Sequence, residues 1–366
     1  FYMKIAIVHD FLNQYGGAER VVEVLNEIFP SAPIFTSIFV KDNLPGSFSK
    51  MNIKTSFMQK LPFLKNHFKK YLLLYPKAIE SFNLKKYNLI LSSSSAFAKG
   101  AIKAADATHI CYCYTPMRFV WDYDNYIEKE NIGKITSKIL PILIKFLKKW
   151  DTKTIERVDY YIAISNFIKE RIKNCYNKEA FVIYPPVNTK NFYISKHTED
   201  FFLIVSRLNP YKNIDLVIKS FNKLNLKLKI IGTGPYRRNL ENLVKGNNIE
   251  FLGKVSEDKL QEMYSKCRAF IFPGKEDFGI TPVEAQASGR PVIAFAQGGA
   301  LETIINGQTG LFFKENSIEC FIAAINKFLE IEKEFDSNII RKNALRFDTE
   351  IFKKNITNFI NEKYKK

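Results

Sequence analysis

Residues 269–284 read Ala269-Phe-Ile-Phe-Pro273-Gly-Lys-Glu276-Asp-Phe-Gly279-Ile-Thr281-Pro282-Val-Glu284. Four apolar residues stopped by Pro-Gly predict a strand over Ala269–Phe272. A polar loop follows, then a helix over Pro282–Ser288, since proline suits the first helical turn. A further apolar run, Pro291–Phe295, begins at once. Strand, loop, helix, strand is the unit of a parallel sheet covered by helices.

The same alternation extends in both directions. Strands are predicted over Phe201–Ser206, Leu226–Ile231 and Ile249–Leu252, with helices over Ile214–Leu224, Arg237–Lys245, Glu257–Lys266 and Ile318–Ile331. In the first half, Lys4–His9 precedes a helical Ala18–Phe29. Further strand candidates are Ile34–Phe39, Leu89–Ser92, His109–Tyr114, Tyr160–Ser165 and Phe181–Tyr184. Consecutive prolines in Tyr184-Pro-Pro-Val-Asn188 stop both neighbouring elements and mark a linker. A chain of 366 residues suits two domains. The expectation is α/β: two Rossmann-like parallel-sheet domains, residues 1–190 and 191–345. Ligands of such sheets bind beyond the carboxyl ends of the strands, so the loops there are the ones to read.

Lys and Arg number 55 against 37 Asp and Glu, a formal charge of +18, and residues 51–100 hold nine lysines against Glu80. Such an excess suits a polyanionic partner (nucleic acid, anionic lipid or a phosphorylated substrate) or plain solubility. No apolar run approaches the roughly 20 residues of a membrane-spanning helix. The chain enters its first strand without the layout of a secretory leader, and Phe1 and Tyr2 ahead of Met3 read as an added remnant. Five scattered cysteines, Cys111 and Cys113 two apart in an apolar run, read as buried thiols of a cytoplasmic protein.

Three loops carry candidate chemistry. Gly16-Gly17-Ala18-Glu19-Arg20 opens a helix, where paired glycines let amides approach an anion or simply make a tight turn. Ser206-Arg207-Leu-Asn-Pro-Tyr-Lys212 places a planar fork and a point charge on one loop, a pair that suits a diphosphate or plain solvent. In the opening stretch, Thr281 and Glu284 have the spacing of a capping box, which leaves Glu276 without a role. Alternatively, the two carboxylates accept hydrogen bonds from sugar and ribose hydroxyls. Neither Gly16-Gly17 nor Gly232-Thr-Gly234-Pro is a dinucleotide fingerprint, and G-x-x-x-x-G-K-[ST] does not occur.

Together these motifs resemble the retaining glycosyltransferases of family 4, which have the GT-B fold of two Rossmann-like domains facing across a cleft. Glu276 and Glu284 match the E-x7-E motif, and the S-R-L-x-P-x-K loop, the G-x-G-P turn and Phe278-Gly-Ile-Thr-Pro-Val-Glu-Ala285 match their neighbours. Gly-Gly-Ala-Glu-Arg and Tyr114-Thr-Pro-Met-Arg118-Phe-Val-Trp-Asp122 are similar to the subgroup of bacterial O-antigen mannosyltransferases. The resemblance implies that Arg207 and Lys212 bind the donor diphosphate, Glu276 the transferred sugar and Glu284 the ribose. It adds Gly16, Gly17, Val255, Phe278, Gly279, Ile280 and Thr281 to the donor site. It places Asp10, Tyr114 and Arg118 on the acceptor side, with His9 a further acceptor candidate, and residues 346–366 as a helix returning to the first domain. Where the subgroup usually has a histidine, this chain has Tyr114, which puts the donor sugar in question.

The reaction implied is transfer of a hexose, first choice mannose from GDP-mannose, to a lipid-linked, polyprenyl-linked or polysaccharide acceptor. The nucleotide-sugar is a substrate; no metal, cofactor or nucleic acid is expected. Alternatives of the same fold are a UDP-sugar-dependent transferase, a sugar-nucleotide epimerase and a non-catalytic sugar-nucleotide-binding subunit. Two stretches, 59–77 and 138–150, interleave lysines with Phe and Leu, among them Lys65, Lys69, Lys70, Lys145 and Trp150. They suit peripheral docking on an anionic membrane at its cytoplasmic face. Lysines that are merely solvated, above apolar residues packed inward, fit the same pattern.

Overall fold

The computed structural model describes residues 3–122 and 134–364, without the side chains of residues 65, 66, 69 and 134–139. Phe1 and Tyr2, and the side chains of Lys65, Lys69 and Lys138, therefore lie outside the described residues. Short apolar runs become parallel strands because helices on both faces exclude water from them. The chain forms two compact units, Phe1–Pro186 with Phe352–Lys366, and Val187–Ile351.

The first unit carries β1 (Ile5–His9), β2 (Ile34–Thr36), β3 (Ile53–Thr55), β4 (Leu89–Ser94), β5 (Thr108–Cys113), β6 (Tyr160–Ala163) and β7 (Ala180–Val182). They form one parallel sheet in the order β3-β2-β1-β4-β5-β6-β7. Every residue of β1 and β4 is buried, as their unbroken apolar and serine sequences require. Strand β3 was not predicted: Ile-Lys-Thr is a half-exposed edge with no apolar alternation. The helix Lys134–Thr154 adds Ile144 and Leu147 to the core. The last helix, Thr349–Tyr364, packs Phe352 on Tyr112 at 5.6 Å and Phe359 on Phe181 at 5.0 Å.

The second unit carries β8 (Phe202–Val205), β9 (Leu228–Ile231), β10 (Ile249–Gly253), β11 (Phe270–Phe272), β12 (Val292–Phe295) and β13 (Gly310–Phe313), in the order β10-β9-β8-β11-β12-β13. Its core gathers Phe202, Ile204, Phe221, Ile271, Phe313 and Phe321. In both sheets the winding reverses once, between β1 and β4 and between β8 and β11. These two switch points open crevices at the carboxyl ends of the strands.

Two local expectations are corrected. The helix predicted from Pro282 runs over Ile280–Ala287, with Gly279 as its N-cap and no side-chain cap. Thr281 therefore lies inside the first turn and makes no capping box with Glu284. A cap needs extended backbone at the capping residue, and Gly279 stands there instead with φ +91. Pro282 is tolerated in the third helical position, because the first-turn amides have no intrahelical partner to lose. The helix begun at Arg237 ends at Glu241, short of Lys245.

Candidate donor site and its counterpart

At the β8/β11 switch point, two loops meet. The loop after β8 carries Arg207, exposed at its start, and Lys212 in a short 3₁₀ turn, Pro210–Lys212. The loop after β11 carries Glu276. Lys212 Nζ and Glu276 Oε1 form an ion pair, both side chains partly buried, although 64 residues separate them in sequence. Asn213 Nδ2 donates to Pro273 O at 3.4 Å and ties the same loops by a second contact.

Neighbouring turns fix both loops through their backbones. Leu208 N donates to Thr233 O at 2.9 Å, and Tyr236 N donates to Leu208 O at 3.0 Å. This approach requires Gly232, with φ +135, because a Cβ there would stand 1.9 Å from Ser206 O. Gly298 does the same for the other loop: a Cβ would come within 2.2 Å of Glu276 O, the oxygen that accepts from Gly299 N at 2.9 Å. The G-x-G-P turn and the later Gly298-Gly299 pair thus act as spacers that hold the Arg207–Lys212 loop and Glu276 in place.

Glu284 sits on the buried face of the Ile280–Ala287 helix, with its Oε2 accepting from Tyr264 Oη at 2.9 Å. Phe278 is buried against Phe347, ring centroids 5.4 Å apart. Gly279, Ile280 and Thr281 are half-buried at the helix N-terminus, where free amides and the helix dipole favour an anion. Val255 is half-buried in the turn ahead of Ser256, which caps the Glu257–Lys266 helix by accepting from Lys259 N. This corner offers cations, free amides and anchored carboxylates, the set needed for a phosphorylated polyol.

The β1/β4 switch point is filled differently. Asp10 follows β1, buried, and its carboxylate accepts five hydrogen bonds from the loop after β4. Oδ2 takes Ser95 N (2.6 Å), Ser95 Oγ (2.8 Å) and Ala96 N (3.0 Å), while Oδ1 takes Phe97 N (2.7 Å) and Ala98 N (2.6 Å). A nest of amides that elsewhere would bind an anion is occupied by the chain's own carboxylate. Asp10 therefore shapes this loop. Gly16 is the N-cap of the helix Gly17–Ile28, where glycine brings no side-chain cap. Tyr114 is buried, its hydroxyl against Ser93 and Ala18, and Arg118 is exposed at the start of the short helix Arg118–Trp121.

His109 is a core residue. Nδ1 pairs with Arg157 O at 3.0 Å and Nε2 with Ser92 Oγ at 2.8 Å, and burial lowers its pKa to about 4. Sequence reasoning missed Ser93, which joins His9 to Tyr114. The serine run Ser92–Ser95 at a strand end was the available signal, since buried hydroxyls there need partners. Lys99, one of the nine lysines of the basic stretch, is buried against Asp151 with Nζ to Oδ1 at 3.0 Å.

Residues 15–191 match the family described as Glycosyltransferase Family 4, and residues 188–346 match Glycosyl transferases group 1. This chain belongs to glycosyltransferase family 4. The family 4 chain is 34% identical over 169 residues to the O-antigen chain mannosyltransferase of Salmonella typhimurium (strain LT2), covering 43% of this chain and 47% of that one. It is 23% identical to the alpha-1,3/1,6-mannosyltransferase of Dictyostelium discoideum, over 89% of this chain and 90% of the other. The first curated relatives it matches are spanned over about half their length. The sucrose-phosphate synthase of Thermosynechococcus elongatus superposes with a TM-score of 0.77 at 18% identity, covering 99% of both chains. The family 4 chain thus has the GT-B fold of two Rossmann-like domains. Among its described residues, no helix is long and apolar enough to cross a membrane.

Proposed function

We propose that this protein is a retaining glycosyltransferase that moves a hexose from a nucleotide-sugar to a glycan acceptor. The observation that carries the reading is the Lys212–Glu276 pair, brought together at the switch point of the second sheet. A diphosphate entering that corner takes Lys212 and Arg207 as partners. Glu276 is then left to accept hydrogen bonds from the sugar hydroxyls, and Glu284 from the ribose. In the transfer step the acceptor hydroxyl bonds to the anomeric carbon as the bond to the diphosphate breaks. Both events occur on one face of the sugar, and the proton passes to the departing phosphate. Negative charge grows on that phosphate, where Arg207, Lys212 and the amides of Gly279, Ile280 and Thr281 stabilise it. In this reading Gly16 and Gly17 are also donor-binding residues, and Arg118 serves the acceptor.

The donor proposed is GDP-mannose, supported by the mannosyltransferase names of the Salmonella and Dictyostelium relatives. Incubation with a panel of GDP-, UDP- and ADP-sugars, with release of nucleoside diphosphate as the readout, tests the reading. Release from GDP-mannose supports it. Release from a UDP-sugar alone keeps the transferase and changes the donor; no release and no binding with any member overturns it.

We also propose a lipid-linked acceptor reached from the cytoplasmic face of an anionic membrane. The outward face of the Lys134–Thr154 helix supports this reading, since Ile142 and Phe146 are 69% and 57% exposed beside Lys145, Lys149 and Lys153. Packed-away apolar residues were the competing expectation, and these two are not packed away. Replacing Ile142 and Phe146 with Glu should abolish sedimentation with anionic vesicles at low salt. Wild-type protein that stays in the supernatant there contradicts docking.

A further inference from the structure

Glu284 is held by a partner that no sequence motif marks. It stands four residues after Ile280, one turn in from the start of the Ile280–Ala287 helix. Helical side chains lean toward the N-terminus of their helix, so the carboxylate covers the turn of Ile280 and Thr281. That turn follows the loop of Glu276 at the β8/β11 corner. The carboxylate is buried, and its Oε2 accepts from Tyr264 Oη at 2.9 Å. The last torsion of a glutamate is soft, without sharp staggered wells, so the plane of its two oxygens needs an outside donor to set it.

Tyr264 is such a donor. Its ring is fully buried near the end of the Glu257–Lys266 helix, edge-on to Phe192 and tilted against Phe270, with centroids 5.6 Å apart in each case. Phe270 opens β11, the strand that leads to Glu276. One ring is thus seated on the strand of one candidate carboxylate while its hydroxyl holds the other. All of these residues lie in the second unit. A backbone carbonyl satisfies a buried phenol at less cost than a carboxylate drawn out of water. The pairing with Glu284 therefore points to a task for the carboxylate, with the tyrosine as its guide.

We propose that Tyr264 is a positioning residue, whose hydroxyl aims the Glu284 carboxylate at the ribose hydroxyls of the donor. The inference rests on the ribose role given to Glu284 under Proposed function and deepens it. Tyr264 acts through Glu284 alone, with no contact of its own to the donor.

Tyr264→Phe removes the hydroxyl and keeps the ring. Calorimetric titration with GDP and UDP, and with their 2′,3′-dideoxyribose counterparts, is the readout, with donor KM and kcat measured alongside. Loss of one hydrogen bond should raise Kd for the ribonucleotide and donor KM by roughly three- to tenfold. Kd for the dideoxy counterpart should stay at the wild-type value, because it offers no hydroxyl for Glu284 to hold. Saturated kcat should also stay, since a ribose contact is made alike in the ground and transition states. Phe192→Leu loosens the seat of the ring and keeps the hydroxyl. It should act in the same direction with a smaller effect, and it carries the test if Tyr264→Phe does not fold. An equal loss for the ribo and dideoxy forms marks a general loosening and overturns the inference. Wild-type discrimination between the two forms in both variants also overturns it. Wild-type protein that binds the two forms alike instead defeats the ribose role of Glu284, and this inference with it.

Discussion

The two sheets reverse their winding in the same way, yet the crevices at the two reversals are filled by opposite means. Between β8 and β11, a lysine and a glutamate from distant loops pair in a half-buried corner beside an exposed arginine. Between β1 and β4, a buried aspartate consumes the loop amides with five hydrogen bonds. Topology marks both places as ligand crevices. The local charge arrangement decides how each is filled: by an ion pair between two loops in one, and by a carboxylate in a nest of backbone amides in the other.

The contrast breaks most readily at Asp10. Asp10→Ala strands four backbone amides, three of them buried, and should cost on the order of 4 kcal/mol of stability in chemical denaturation. Unchanged stability with loss of transfer would make Asp10 an acceptor residue after all and erase the contrast.

Acid should weaken the first unit through His109. Its folded pKa of about 4 lies below the usual value of about 6.5, so the unfolded chain binds the extra proton between those values. Stability is then complete above about pH 6.5 and falls by about 1.4 kcal/mol per pH unit down to about pH 4. His109→Gln should flatten this slope in denaturation curves at pH 7 and pH 5; an unchanged slope assigns the acid loss elsewhere.

The smallest effect sharpens the second crevice. Glu284→Ala should cost about 1–2 kcal/mol of stability, because buried Tyr264 loses its acceptor, and should also weaken nucleotide binding. Glu276→Ala should keep nucleoside diphosphate affinity while losing transfer. Calorimetry on the two variants separates the roles, and equal losses in both would contradict them.

Much of this was legible in the sequence, and the misses have physical causes. Apolar runs stopped by Gly and Pro gave the parallel α/β class, since burial on both faces leaves a plain signature. The edge strand Ile53–Thr55 escaped because two of its three side chains face solvent. Thr281 and Glu284 look like a capping box by spacing, but spacing does not say which residue stands outside the helix, and Gly279 does. Lys212 and Glu276 were each legible as candidates, whereas their meeting depends on the order of strands in the sheet. Asp10 was legible as a crevice residue, but nothing local shows that the loop after β4, beginning at Ser95 and 85 positions on, would spend its amides on it.

The central claim is that the β8/β11 corner grips the donor diphosphate. Titration of GDP and UDP into wild-type protein and into the Arg207→Ala, Lys212→Ala double variant, followed by turnover with the preferred nucleotide-sugar, tests it most directly. The account predicts binding by wild type, a clear loss of affinity in the folded double variant, and turnover lowered by roughly 10²–10³-fold for each single replacement. Wild-type affinity and turnover in the folded double variant would contradict it.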